Sequence, residues 1–568
     1  MNFRRSVEIG AVLTIGALLP AATRAQGFGD YPVIYRPAKD AKDLRAVLFN
    51  WTWYMGMLHG VDEHELIASL EYQGKGTIQV DGQPCTLTKY RVSTSYQTPG
   101  QRVQYTCTRP NGQTVSSVEV VSGHYAWNED IAGAEIVAGK GKATPMPGAV
   151  EERLIRLWAS PQGAPKAAIA GAVPGAEMGA NPGTLLKDGV DKAGETSLSW
   201  QAGKAVVTYP IPGVPGAIAT ATLNEKYMAD RVVVKQGSKT TEFNYGDYQD
   251  WNNPLNKVDV LYAGKMTERS NGAVVRDLTT VQTETGSVYV VLPVPGSVGA
   301  ASSAVKTAAK TSEASASGET PRMANGHPDL TGNWNFNAMN WRYGNRRCGP
   351  TQQEGCSRAL NQTMDFEFEA PSRYGPNRPL YKPEFWDKVQ QLDMWTNKED
   401  PVMTCQPLGV PREGPPRRIV QSANDVVFFY GEYVDGGGGY GEYRVIPTDD
   451  RKHDPKRALE STYFGYTVGR WEGDTLVLDS ISFVDSTWLA RGGFFHSDQM
   501  HVIEKLTRQG GDQMRYEVTV DDPEVLAEPW VMTPRTLRLN TSPDAGILRE
   551  RGNCEVYEVK DITSQIRH

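Results

Sequence analysis

Apolar and polar residues alternate with period two along most of this chain, and that period belongs to strands. After residue 70 it runs through TIQV, CTLTKYRVSTSY and QRVQYTCT, with Gly/Pro turns between them. It resumes at Thr196 in SLSWQ, KAVVTYPI, IATATLN, DRVVVKQ and TEFNYGDYQDW. DVLYAGKMTER and AVVRDLTTVQT follow, joined at Asn271-Gly272, a dipeptide that favours a two-residue hairpin turn. SVYVVLPVP reads as the strand that ends this half. Helical periodicity interrupts the pattern in two places. LRAVLFNWTWYMGMLHG, within Ala41–Leu70, is apolar all round, as a buried helix is, and EERLIRLWA, Glu151–Ala159, is amphipathic. Pro161–Gly183 is rich in Ala, Gly and Pro and reads as a loop with a helical piece.

Gly299–Asn325 has no aromatic residue and many small polar ones, so it cannot bury a core and reads as a flexible linker. Beyond it, Pro383 opens a helix, EFWDKVQQLDMW, as proline does in a first turn. Strands then recur: RIVQ, DVVFFYGEY, GEYRVIP, the hairpin GYTVGRWEGDTLVLDSISF, QMHVIEKLTR, QMRYEVTV, TLRLN and CEVYEVK. QMRYEVTV alternates cleanly, with Met514, Tyr516, Val518 and Val520 on one side. Eight or nine strands in meander order suffice for a small barrel. The expectation is a closed, hollow cylinder with titratable groups around its open end.

Composition sharpens this to two domains in an exported, mainly β protein. A chain of 568 residues is too long for one core. Residues 1–25 carry Arg4 and Arg5, the apolar run AVLTIGALLPAA and small residues ending at Ala25, the pattern of a cleaved signal peptide too short to span a membrane. Its removal takes a net +2 from a formal charge of −7 and leaves about −9. A mildly acidic chain without a basic block is a poor partner for nucleic acid, and no integral membrane segment remains after the signal. The expected location is periplasmic or secreted. In that compartment six cysteines favour disulfides, and proximity suggests Cys85–Cys107, Cys348–Cys356 and Cys405–Cys554. None has zinc-ligand spacing.

ATATLNEKYMADRVVVKQGSKTTEFNYGDYQDW, a three-strand meander ending in a DYxDW-type segment, resembles the LolA/LolB-like lipoprotein-carrier fold. That resemblance implies an antiparallel sheet over helices with an apolar concave face, and no chemistry. Asp329-Leu330-Thr331-Gly332-Asn333-Trp334, a Gly-x-Trp at the start of a β domain, resembles the lipocalin (calycin) opening, where the Trp closes the barrel's bottom. DPVMTCQPLGVPR, DDRKHDP, YTVGRWEGDTLVLDS, DSTWLARGGFFHSDQMHVIE and VDDPEVLAEPW are similar to a family of largely uncharacterised secreted bacterial proteins. The organisation expected is a signal peptide (1–25), a LolA-like β domain (26–298), a linker (299–325) and a lipocalin-like β-barrel domain (326–568).

Candidate chemistry gathers after the linker. His496 with Asp485 and His453 can serve acid–base catalysis, a histidine beside a carboxylate being the usual proton donor or acceptor. Arg444, Trp488, His501, Glu504 and Trp530 are candidate ligand-binding residues, and Arg412, Arg417 or Arg444 could clamp a carboxylate. A metal site from His496, His501 and Glu504 conflicts with strand parity, since residues 501 and 504 point to opposite faces. Asp521-Asp522-Pro523 reads as a turn cap. With no Rossmann, P-loop or G-x-S-x-G motif, neither a cofactor nor a metal is expected. The favoured function is binding or carriage of an apolar or aromatic small molecule in a β-barrel cavity, with the protein partner unknown. The alternative is a cofactor-free lyase, isomerase or hydrolase acting on a small hydrophobic substrate.

Overall fold

The structure is a computed structural model. It describes residues 37–57, 67, 69–96, 98–172, 195–251, 260–286, 288–301, 318–335, 377–394, 399–430, 442–490, 492–532, 534–543 and 545. The signal peptide expected at 1–25, Cys348, Cys356, Cys554 and the strand CEVYEVK lie outside the described residues. The chain is mainly β, in two large antiparallel sheets that belong to one compact unit.

The first sheet begins with β1 (Ser69–Val80), β2 (Gln83–Ser95), β3 (Gly100–Thr108), β4 (Thr114–Ser122), β5 (Tyr125–Glu129) and β6 (Ala143–Pro145). It continues with β7 (Ser197–Gln201), β8 (Lys204–Pro210), β9 (Ile218–Leu223), β10 (Ala229–Gln236), β11 (Lys239–Asp250), β12 (Leu261–Ser270) and β13 (Ala273–Gly286). Each strand pairs with its sequence neighbour, except that β1 closes onto β13, and β6 and β7 are left as the two edges. Local chemistry sets the hairpins. Asn271 and Gly272 both sit at positive φ (46° and 87°), as the turn between β12 and β13 requires, and Asp81-Gly82 and Ala202-Gly203 repeat that geometry. Cys85 and Cys107 form the expected disulfide across β2 and β3.

Three helices cover one face of this sheet. The first, α1 (Leu44–Tyr54), is capped by the Asp43 carboxylate, which accepts from Ala46 N at 2.8 Å. The amphipathic segment is α2 (Val150–Ala159). Arg153 pins it to the sheet by donating to the carbonyls of Val120 and Trp127 at 2.8 and 2.7 Å. The helical piece expected within Pro161–Gly183 is α3 (Gly163–Ala172). Its composition looked irregular because small residues were needed. A Cβ on Gly171 would lie 2.6 Å from Thr196 Oγ1 and 2.8 Å from Pro210, so only a small residue lets α3 approach β8.

The second sheet contains β14 (Gly332–Asn335), β15 (Arg418–Gln421), β16 (Asp425–Phe429), β17 (Tyr443–Pro447), β18 (Tyr466–Glu472), β19 (Thr475–Ile481), β20 (His501–Gln509), β21 (Gln513–Asp521), β22 (Trp530–Val531) and β23 (Arg535–Leu539). β14 pairs with both β15 and β23, so the meander curls back on itself into a nearly closed barrel, and β22 adds to β21. The seam that lacks hydrogen bonding lies between β17 and β18. The inward residues of β21 are the four expected, Met514, Tyr516, Val518 and Val520, all buried. Among the described residues the expected hollow interior is instead packed with side chains. Phe428, Ile446, Leu476, Leu478, Val502, Leu506 and Trp334 are buried in one apolar cluster with those four, because large side chains stand at successive inward positions.

Among the described residues two further short α-helices occur, α4 (Gly296–Ala301) and α5 (Trp386–Met394). Residues 288–295 of SVYVVLPVP, expected as a strand, pair with no strand among the described residues. Their carbonyls are taken by side chains: Ser69 Oγ and Arg378 donate to Val288 O, and Ser122 Oγ to Leu292 O. This segment links the sheets, with Tyr289 Oη donating to Pro379 O and accepting from Tyr381 N, both at 2.8 Å. Of the expected linker, 302–317 lies outside the described residues. Arg322, just beyond, forms a two-pronged pair with Asp474 in the β18–β19 turn.

Candidate functional site

A cavity of about 40 Å³ lies between α2 and the covered face of the first sheet. Tyr72 of β1, Tyr90 of β2, Tyr245 of β11 and Tyr262 of β12 supply aromatic walls; Leu70, Met266 and Leu278 supply aliphatic ones. The Tyr72 ring lies 5.3 Å from that of Tyr262 and 6.1 Å from that of Tyr90, spacing typical of packed aromatic pairs. Burial pushes the hydroxyls of Tyr72, Tyr245 and Tyr262 well above the usual tyrosine range, so these phenols stay neutral.

One ionic group stands in the same wall. Glu268 of β12 receives Arg156 of α2 at 3.0 Å and Arg276 of β13 at 3.2 Å, and Arg276 also donates to Tyr90 Oη at 2.9 Å. Burial alone would lower the Arg156 guanidinium, but Glu268 and Glu152 reverse that and hold it above its ordinary value. Every charge here has an opposite partner, so the aromatic space beside it is apolar in character. Glu268–Arg156 ties the covering helix to the sheet, and Tyr245 Oη adds a bond of 2.7 Å to Ala159 O at the end of α2.

In the second sheet two of the predicted residues meet inside the barrel. Arg444 of β17 donates to Glu504 of β20 at 2.7 Å, to Tyr430 Oη at 2.9 Å, and to Thr467 Oγ1 of β18 at 2.8 Å. Tyr516 Oη completes the Glu504 carboxylate at 2.8 Å. Burial opposes the charge on Arg444, and Glu504 and Tyr430 outweigh it, leaving the guanidinium above its ordinary value. Because Arg444 reaches from β17 to β18, β19 and β20, this network stitches the barrel's seam. Arg412 clamps a carboxylate of its own chain, Asp400, through two bonds of 2.7 Å.

The histidines divide into two places. His501, on the opposite face of β20 from Glu504 as parity requires, bonds Asp479 Oδ1 through Nε2 at 2.9 Å. His453 Nε2 lies 3.8 Å from the same oxygen and 3.1 Å from the carbonyls of Tyr466 and Asp479. Hydrogen bonding to Asp479 lifts His501 above the usual imidazole value, and His501 in turn lowers Asp479. His496 sits elsewhere, buried, with Nε2 2.7 Å from Thr487 Oγ1 and Nδ1 2.8 Å from Ser497 O. Burial lowers its pKa. Asp485 is exposed and shares no hydrogen bond with it; the Ser497 carbonyl holds the ring instead, and Asp485 acts through charge alone. Asp522, read as a turn cap, is fully buried and accepts from Ser497 N and Oγ. Trp488 bridges to Phe495 within the core, and Trp530 Nε1 donates to Asn377 Oδ1 at 3.0 Å.

Sequence reasoning missed Asp479 and the whole aromatic cavity. The tyrosines come from separate strands of a 13-stranded sheet, with no local motif to link them. Asp479 sits in a regular strand and reads as an ordinary outward residue. Among the described residues no helix is long and apolar enough to cross a membrane.

No protein-family model and no curated protein matches the chain. Among solved structures, the chain is similar to a LolA-superfamily protein from Nitrosomonas europaea, 10% identical, covering 43% of this chain and 94% of that one with a TM-score of 0.23. A likeness that slight fixes neither ligand nor activity.

Proposed function

We propose that this protein binds an apolar or aromatic small molecule between α2 and the first sheet, in the periplasm or outside the cell. The carrying observation is the buried space walled by Tyr72, Tyr90, Tyr245, Tyr262, Met266 and Leu278, beside fully paired charges. Its 40 Å³ holds roughly three waters. Sites for drug-sized ligands run from about 300 Å³. Ligand entry therefore requires α2 to lift, and Arg156–Glu268 is one of the contacts that resist it, with those of Arg153 and Tyr245. The Cys85–Cys107 disulfide and the leader-like residues 1–25 support the compartment. A division into two domains, the second lipocalin-like, belongs to the same reading. Supporting it, Trp334 of Gly-x-Trp is buried under the Arg508 guanidinium, 5.3 Å from the ring centre.

Titrating the purified chain with N-phenyl-1-naphthylamine tests this reading. Leu278→Trp, which fills the cavity, weakens binding at least about tenfold, or ~1.4 kcal/mol. Arg444→Met/Glu504→Leu in the barrel, which removes both buried charges together, leaves it unchanged. Equal affinity in a folded Leu278→Trp variant removes the proposal.

A second reading rests on His453 and His501 sharing one Asp479 oxygen at a partly exposed surface: proton transfer without a cofactor. It predicts turnover with a pH profile that changes in His501→Gln, and no such change in His496→Gln.

A further inference from the structure

On the opposite face of β1, β2 and β13 from the aromatic cavity, a groove of about 260 Å³ runs between the sheet and α5. A β-bulge builds it. Gln73 pairs with Gln282 but Gly74 pairs with Thr280, so Val281 is an extra residue in β13. Before the bulge Arg276 and Leu278 face the cavity; after it Gln282 and Glu284 face the groove with Glu71 and Gln73.

We propose that this groove binds a neutral polyhydroxylated small molecule, a mono- or disaccharide. All its lining side chains are polar, so an apolar ligand finds no partner there. Arg91, the cation of the lining, is already engaged by Glu71 Oε1 at 2.9 Å and Asp387 Oδ1 at 2.7 Å, so an anion meets three carboxylates and a spent guanidinium. A cation gains little either. Arg91 offsets only one of the three carboxylate charges, but no chelating set of carboxylates forms among the described residues: Arg91 bridges Glu71 and Asp387, Ser93 Oγ donates to Glu71 Oε2, and Gln282 donates to Glu284 Oε1. What remains uncommitted is amide. Gln73 on β1 and Gln390 and Gln391 on α5 line the groove, and among the described residues none of their side chains makes a hydrogen bond. Each amide offers an acceptor and two donors, the pairing that vicinal hydroxyls satisfy at once. The walls come from the first sheet and from the helix that precedes most of the second, a common setting for small-ligand sites.

The site is independent of the apolar cavity, and its test uses the full chain. Glucose, maltose and N-acetylglucosamine are titrated by calorimetry and saturation-transfer NMR, with calcium, spermidine and citrate as comparisons. At least one sugar saturates with Kd on the order of 1 mM. Gln390→Ala/Gln391→Ala, on an exposed helix face, weakens that sugar at least about tenfold and leaves naphthylamine binding intact. Absence of saturation by every sugar overturns the proposal. So does an affinity unmoved by the double substitution, or displacement of the sugar by citrate, calcium or spermidine at equal concentration.

Discussion

The two sheets share one code, antiparallel hairpins of alternating residues, yet one keeps a cavity and the other is filled. The difference lies in what occupies the inside. In the first sheet 13 strands with free edges curve over three helices, and helices cannot fit an aromatic-lined sheet without leaving gaps. In the second, β14 closes onto β23, and a barrel of eight or so strands has an interior just wide enough for side chains. Leucine, valine and phenylalanine fill it, and a polar network around Arg444 and Glu504 spans the seam. A barrel-shaped sheet is therefore no guarantee of a hollow one.

The sharpest way to break the contrast is inside the barrel. Glu504→Ala leaves Arg444 buried without its counter-ion and lowers unfolding free energy by about 3–5 kcal/mol in urea titrations. Arg444→Met/Glu504→Leu is expected to restore most of it, since apolar residues of similar volume can replace such a pair. A loss under ~1 kcal/mol in the single variant means the seam is held by other contacts. Across β2 and β3, Cys85→Ala/Cys107→Ala removes a 22-residue link, a loss of about 3 kcal/mol by chain entropy, readable as a lower melting temperature.

In the first sheet the corresponding charge, Glu268, is less critical, because Arg156 keeps Glu152 and Arg276 keeps Glu119. Glu268→Ala is expected to lower stability by about 2 kcal/mol and to speed naphthylamine entry in stopped flow. Slower entry contradicts the role of α2 as a cover. The smallest effects are in pH. The lowered His496 is neutral in the fold, so the unfolded chain takes up its proton first as pH falls below about 6.5, and stability present above that value is lost toward lower pH. The raised His501 runs the other way. Its contribution is complete below about 6.5 and fades as pH rises through its higher folded value, by under ~1 kcal/mol after solvent screening. His501→Gln should flatten only the upper limb of a stability–pH curve.

Much of the architecture was legible because its causes are local. Asn271-Gly272 names its turn, Pro383 its helix start, and the alternation of Met514 to Val520 its inward face. The Cys85–Cys107 link followed from two neighbouring strands. Where small residues served a distant surface, as in Gly163–Ala172, composition indicated a helical piece but not its bounds; where carbonyls found side-chain partners, as at Val288, a strand pattern gave no strand. Of the residues singled out beforehand, Arg444 joins Glu504, and His453 and His501 share Asp479, while His496 stands apart with Thr487.

By itself, then, the chain determined most of its strands and helices, its main turns and one disulfide, all set by backbone geometry within a few dozen residues. Tertiary structure alone decided which tyrosines face each other, that a bulge at Val281 turns β13 from cavity to groove, and that apolar side chains fill the barrel among the described residues. Those depend on register and on volumes summed over strands distant in sequence, quantities that no single stretch carries.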